Sequence, residues 1–188
     1  MIGQGEEKKE PKPSKTTITK TPIGYKYFVV FPNTIDDEAP EFLDLVNLLN
    51  KASEKDEVEL VLNCRGGSVD TTVLIVNTIR ESKATVTTIL NGGAYSGGSC
   101  IFLAGDKKIV KPNSSFMAHY YSSEVRGKGT DLESRADFCK KQMGAFYRDI
   151  YKGFLSDKEI DDVLSGKDIW LLGTQVERRL KRGRGKKQ

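Results

Sequence analysis

The sequence predicts a single α/β domain built around a parallel sheet. Three observations carry that prediction. Short apolar runs of strand length are each followed by a turn and then by a segment of helical periodicity, three times in succession from Tyr25 to Ala104. The chain has 188 residues, 37% of them apolar, which suits one core and is thin for two. Successive strand-turn-helix units require crossover connections, and those place the strands parallel.

Residues 1–20 are Gly, Lys, Glu, Pro and Thr with almost nothing apolar, so they are expected to form a flexible arm. The run from Tyr25 to Phe31 is aromatic and β-branched and is closed by Pro32-Asn33, as a short strand is. From Glu41, Phe42, Leu45, Val46 and Leu49 recur at helical spacing, with Asp36, Asp37 and Glu38 ahead of them to favour a helix N-terminus. The second unit has a strand at Val58–Asn63, a turn at Arg65-Gly66-Gly67 and a helix capped by Ser68 that carries Val73, Leu74, Val76 and Ile79. The third has a strand at Ala84–Leu90, a turn at Asn91-Gly92-Gly93 and a short apolar helix from Ser96 to Ala104. Lys107–Val110 and Ser115–His119 read as two further strands around Pro112-Asn113. Beyond Gly129 the pattern turns helical: a long segment from Asp131 to Phe154, a short helix from Asp157 to Leu164 and a third from Thr174 to Leu180.

Composition excludes several classes of protein. No stretch of eighteen apolar residues occurs and the first twenty lack a signal-peptide core, so the expectation is a cytoplasmic chain without membrane association. Three cysteines, none in a CxxC pair, and one histidine do not build a disulfide framework or a zinc site, and no cofactor is expected. The net charge of +4 comes from the C-terminus: seven basic residues lie between Arg178 and Gln188, leaving 23 basic against 26 acidic elsewhere. The body is therefore not basic, and residues 181–188 are read as a solvated basic tail, not as a nucleic-acid surface.

The chemistry concentrates in two glycine-rich strand-to-helix turns, Cys64-Arg65-Gly66-Gly67-Ser68 and Gly92-Gly93-Ala94-Tyr95-Ser96-Gly97-Gly98. Ala94-Tyr95-Ser96-Gly97-Gly98 nearly matches the nucleophile-elbow pattern GxSxG, in which a serine is presented at the C-terminal edge of a sheet. Such a turn also suits phosphate binding or tight packing. A serine nucleophile needs a base, and His119 carries the only imidazole. A lone histidine at a strand end is also a common structural residue, so the residues alone leave both readings open.

Gly66-Gly67-Ser68-Val69, Gly93-Ala94-Tyr95-Ser96-Gly97 and Met117-Ala118-His119 resemble, in that order, three signatures of the Clp protease proteolytic subunit family. The resemblance runs from about Tyr25 to Leu180 and includes Asp131-Leu132-Glu133 with the long helix after it, and Lys167-Asp168-Ile169-Trp170-Leu171. It implies a ClpP/crotonase-like spiral of ββα units with a protruding helical handle, spanning residues 21–180. It implies Ser96 as nucleophile, His119 as general base, Asp168 as the third triad member and the backbone N–H groups of Gly67 and Gly97 as oxyanion hole. Ser68 and Val69 on one side, and Tyr120 and Tyr121 on the other, resemble the edges between which the family's peptide substrate lies as an added strand. The family assembles into seven-membered rings, often paired as a tetradecamer, and receives unfolded chains from a ring ATPase. This sequence has no GxxxxGK[ST] loop, so that ATPase would be a separate partner.

The chain departs from the family pattern at Arg65, where proline is usual, at Gly97, where methionine is usual, and at Tyr120-Tyr121, where Gln-Pro is usual. Two other readings remain open. One is a crotonase-type acyl-CoA enzyme, which uses two backbone N–H groups to stabilise a thioester enolate on the same architecture. The other is an inactive assembly protein whose basic tail touches nucleic acid.

Overall fold

A computed structural model describes residues 23–37, 40–123 and 126–184, so the expected arm at 1–20 and the last four residues of the expected tail lie outside it. The chain follows the order β1 (Lys26–Val30), α1 (Pro40–Lys51), β2 (Glu57–Cys64), α2 (Val69–Glu81), β3 (Thr85–Tyr95), α3 (Gly97–Ala104), β4 (Lys107–Val110), β5 (Ser115–Ala118), α4 (Gly129–Tyr151), α5 (Asp157–Leu164), β6 (Ile169–Leu172) and α6 (Gly173–Arg184). The described strands form one mixed sheet of order β1-β2-β3-β5-β6, with β4 also paired to β3. The α/β class and the parallel pairing of β1 through β5 agree with the sequence. The last strand runs antiparallel to β5.

Local chemistry explains the first elements. Ser68 caps α2 by accepting a hydrogen bond from the Thr71 N–H at 3.2 Å, which satisfies one donor of the open first turn. That helix turns Ile75, Val76 and Ile79 into the core and leaves Leu74 exposed, so its buried stripe is rotated from the expected set of Val73, Leu74, Val76 and Ile79. Each residue turns the helix by about 100°, so the face that buries Ile75, Val76 and Ile79 carries Leu74 round to solvent.

The expected turn at Asn91-Gly92-Gly93 is not a turn. β3 continues through it to Tyr95, and the register with β2 moves from Leu62↔Leu90 to Cys64↔Ala94, so β3 spends extra residues in a bulge. Gly92 takes φ +120°, and a Cβ there would meet Asn63 Oδ1 at 2.5 Å. The same Asn63 oxygen accepts the Gly93 N–H at 3.0 Å, which fills the gap in the ladder.

The length of β3 lets two strands share its second edge. β4 pairs with Thr87–Leu90 and β5 with Gly93–Tyr95. Between them the chain turns through Asn113 at φ 61°, and buried Ser114 donates to the Leu90 carbonyl at 3.0 Å. β5 therefore starts where the bulge ends, and the end of β3 is held between Cys64 and Met117.

α4 projects. Its residues up to Gln142 are exposed or half-buried, Phe138 at 64%, and only Met143, Tyr147, Ile150 and Tyr151 are buried. The apolar residues Leu132, Ala136, Cys139, Met143, Phe146 and Ile150 recur along it at spacings of three and four, and only the C-terminal end of that stripe is covered. Ion pairs fix that end: Arg80 of α2 with Asp149, and Arg148 with Asp161 of α5 at 2.7 Å.

The helix expected at Thr174–Leu180 runs on to Arg184, so the start of the supposed tail at residue 181 belongs to α6. Arg179 of α6 holds both oxygens of Glu159, at 2.6 and 2.8 Å, and the Ser156 capping box adds two more hydrogen bonds. These donors, Arg179 first, pull the Glu159 carboxyl down from its ordinary 4.5 to about 2. A depressed acid stabilises the fold above its ordinary value and loses that contribution as pH falls toward the folded value. Arg179→Met is expected to cost about 1–2 kcal/mol at neutral pH after solvent screening, in denaturant titrations. The difference from wild type should close between pH 4.5 and about 2; a difference constant across that window would remove the pair from the fold's stability.

Candidate active site

Ser96 stands at the junction of β3 and α3 with φ 54° and ψ −125°, a conformation rare for a residue with a side chain. Such a backbone costs on the order of 1–3 kcal/mol and persists only where its surroundings enforce it. Its N–H donates to the Met117 carbonyl of β5 at 3.0 Å. On the other side Gly66 passes so close that a Cβ there would lie 2.6 Å from the Ser96 Cβ. The glycine pair after β2 is therefore needed to let that loop run against the elbow.

His119 follows β5 directly, and the pairing of Tyr95 with Met117 brings it alongside the serine. Its Nε2 lies 2.7 Å from Ser96 Oγ. With the imidazole neutral and protonated on Nδ1, the serine hydroxyl donates to Nε2.

Asp168 enters through the ladder. The β5–β6 ladder ends with Ala118 paired to Ile169, and extending its register by one step sets His119 opposite Asp168. Directly opposed residues of an antiparallel pair have Cβ atoms about 4.5–5.5 Å apart, within reach of a carboxylate and an imidazole. In this structure Asp168 is exposed and makes no hydrogen bond to His119.

Gly67 and Gly97 present two backbone donors to the same space. Gly67 forms a bridge with Ile35 in which the Ile35 N–H donates to the Gly66 carbonyl at 2.9 Å and the Ser68 N–H to the Ile35 carbonyl at 2.8 Å. The Gly67 N–H is left without an acceptor among the described residues. Gly97 is the first residue of α3, where an N–H has no partner within the helix. Both line a cavity of about 230 Å³ together with Ser96 and His119. A Cβ at Gly97 would meet Thr72 Oγ1 at 2.3 Å and Ile35 Cδ1 at 3.0 Å, so those side chains fill the space that the family's usual methionine would need.

The four substrate-edge residues separate. Val69 and Tyr121 line the cavity. Ser68 does not: its hydroxyl caps α2 and donates to Asp37, its N–H is spent on Ile35, and its carbonyl accepts from Thr72. Those hydroxyls, Ser68 first and then Thr71, hold the Asp37 carboxyl below the usual range. Tyr120 packs its ring 4.8 Å from Tyr121 and 5.8 Å from Tyr147, and faces a second hollow beside Asp137 and Arg148. The floor of the cavity is apolar, formed by Met117, Cys100, Met143, Phe146 and Tyr147. Burial pushes the Cys100 thiol up to about 11, so it stays protonated and is no rival nucleophile. The floor residues on α4 lie more than forty positions from Ser96, and only their place on one helical face pointed to burial.

The family model for Clp protease matches residues 19–154. The chain belongs to the Clp protease family. Among curated relatives, the ATP-dependent Clp protease proteolytic subunit of Deinococcus radiodurans is 41% identical over 91 residues, 47% of this chain and 45% of that protein. The protein of the same name from Oltmannsiellopsis viridis is 29% identical over 119 residues, 60% of this chain and 61% of that one. The chain thus spans about half to three-fifths of the length of these Clp protease relatives. Ser96, His119, Gly67 and Gly97 fall inside the residues matched by the Clp protease model, whereas Asp168 lies beyond them. No described helix is long and apolar enough to cross a membrane.

Proposed function

We propose that this chain is a serine endopeptidase that cleaves unfolded proteins or peptides through an acyl-enzyme. The 2.7 Å contact between Ser96 Oγ and His119 Nε2, at a serine held in a strained elbow, is the observation that carries this reading. Ser96 attacks the scissile carbonyl while its proton passes to Nε2. The negative charge that develops on the carbonyl oxygen is met by the N–H groups of Gly67 and Gly97, donors already fixed before the reaction. Collapse expels the amine, which takes the proton from His119, and water then enters by the same base to release the acid. Asp168 fixes the Nδ1–H tautomer and offsets the imidazolium charge. The peptide runs between Gly67-Val69 and Tyr121-Ser122 as an added strand.

The proposal extends to assembly. The exposed half of α4, with Phe138 in the open, is the handle through which subunits join into seven-membered rings, stacked in pairs, that enclose the active sites. A separate ring ATPase supplies unfolded chains. A crotonase-type enolate site has no use for a base hydrogen-bonded to a serine, and no observation favours an inactive scaffold.

A fluorophosphonate probe is expected to label the protein at Ser96, with labelling lost in Ser96→Ala. Light scattering on that variant should give seven or fourteen subunits. Labelling elsewhere or none would overturn the chemistry; a mass of 20.9 kDa at every concentration would overturn the chamber.

A further inference from the structure

We propose that Ser99 and Tyr151 are positioning residues that hold the Ser96–Gly97 peptide so that its N–H faces the reacting carbonyl, and that they thereby tie the oxyanion hole to the root of α4. The inference rests on the peptidase reading. Ser99 Oγ donates to the Ser96 carbonyl at 2.6 Å, and Ser99 Oγ and Tyr151 Oη are 2.9 Å apart. Both residues are fully buried. A hydroxyl has one proton, and that of Ser99 goes to the Ser96 carbonyl, so the second contact runs from Tyr151 O–H to Ser99 Oγ. The Cys100 thiol, 3.6 Å from Tyr151 Oη and kept protonated by burial, can donate into the same chain. Hydrogen bonds aligned in this way polarise one another in a dry interior.

The consequence follows from peptide planarity. In a trans peptide unit C=O and N–H point in opposite directions. Pinning the Ser96 carbonyl toward Ser99 therefore aims the Gly97 N–H the opposite way, toward the cavity that Gly97 lines with Ser96 and His119. This matters here because residue 97 is glycine, whose backbone freedom would otherwise let the peptide rotate and remove the donor. The Ser96 carbonyl also accepts the Ser99 and Cys100 N–H groups, at 2.9 and 3.4 Å, which is ordinary helix geometry; the side-chain hydroxyl is the added restraint. Tyr151 is the last residue of α4 and stacks at 5.7 Å on Tyr147, which forms the cavity floor. Movement of the α4 root therefore reaches the oxyanion donor through two hydroxyls.

The test uses Ser99→Ala and Tyr151→Phe, each of which removes one hydroxyl and adds no volume. In Ser99→Ala, kcat for a fluorogenic peptide should fall about 10-fold to 10²-fold with KM unchanged, less than the roughly 10²- to 10³-fold lost when an oxyanion donor is removed outright, because the N–H is loosened and not deleted. Tyr151→Phe should give a smaller fall in the same direction. Affinity for a peptide boronate, which forms the tetrahedral adduct, should fall with kcat. Hydrogen exchange of the 96–100 amides should speed up while β2 and β3 stay protected. Unchanged kcat and unchanged exchange in both variants would overturn the inference, as would a general loss of protection across the sheet, which marks a purely structural role. If wild type is neither labelled nor active, the peptidase reading fails. The exchange data then decide whether the two hydroxyls hold this peptide.

Discussion

His119→Ala is expected to lower peptide cleavage by about 10⁴- to 10⁶-fold with little change in KM, measured as steady-state hydrolysis of a fluorogenic peptide. The size follows from the geometry. Among the described residues the imidazole is the single group bonded to Ser96 Oγ, at 2.7 Å, and the chain holds no second histidine to substitute for it. Without it the serine must lose its proton to water during attack, and the leaving amine must take one from water. Binding should survive, because the floor from α4 and the Val69 wall do not depend on residue 119. The rate of fluorophosphonate labelling should fall in parallel. A decrease below tenfold would mean that another group accepts the proton.

Asp168→Asn is expected to lower kcat by about 10⁴-fold, because an amide in place of the carboxylate favours the wrong imidazole tautomer and does not offset the imidazolium charge. The case is topological: extending the β5–β6 register one step sets Asp168 opposite His119. The other acids nearby in sequence are engaged elsewhere, Asp161 with Arg148 and Asp162 with Lys167. Because the Asp168 carboxylate is exposed and not bonded to His119 in the single chain, its engagement is expected to follow assembly. Activity per subunit of wild type should therefore rise with protein concentration, and that of Asp168→Asn should not. An effect under tenfold would leave Nδ1 to solvent and make Asp168 a surface residue.

The legible parts of this fold were those governed by local rules. The β-branched runs gave β1 and β2, and the Ser68 cap marked the start of α2. The residues Ser96 and His119 were readable as a candidate pair through their resemblance to the Clp protease signatures, because the turn and the lone histidine taken alone also fit tight packing and a structural role. What the sequence hid was decided at a distance. Gly92-Gly93 reads as a turn, yet Asn63 on the neighbouring strand and Ser114 after β4 supply the hydrogen bonds that keep β3 running through it. β6 is four residues, Ile169–Leu172, two of them exposed, and its pairing with β5 rather than any pattern of its own makes it a strand. Ser99 and Tyr151 meet across 52 positions, and nothing in either segment announces the other.

The edge strand β6 is the last described strand in chain order. β1 through β5, with Ser96 and His119, are complete by residue 119, but Asp168 and β6 lie about fifty positions further on, after α4 and α5. Domains tend to fold as units during synthesis, in the order their parts emerge. Under the proposed triad, a nascent chain carries Ser96 and His119 before Asp168 has been made, and the order of the elements delays hydrolytic competence until translation has passed β6.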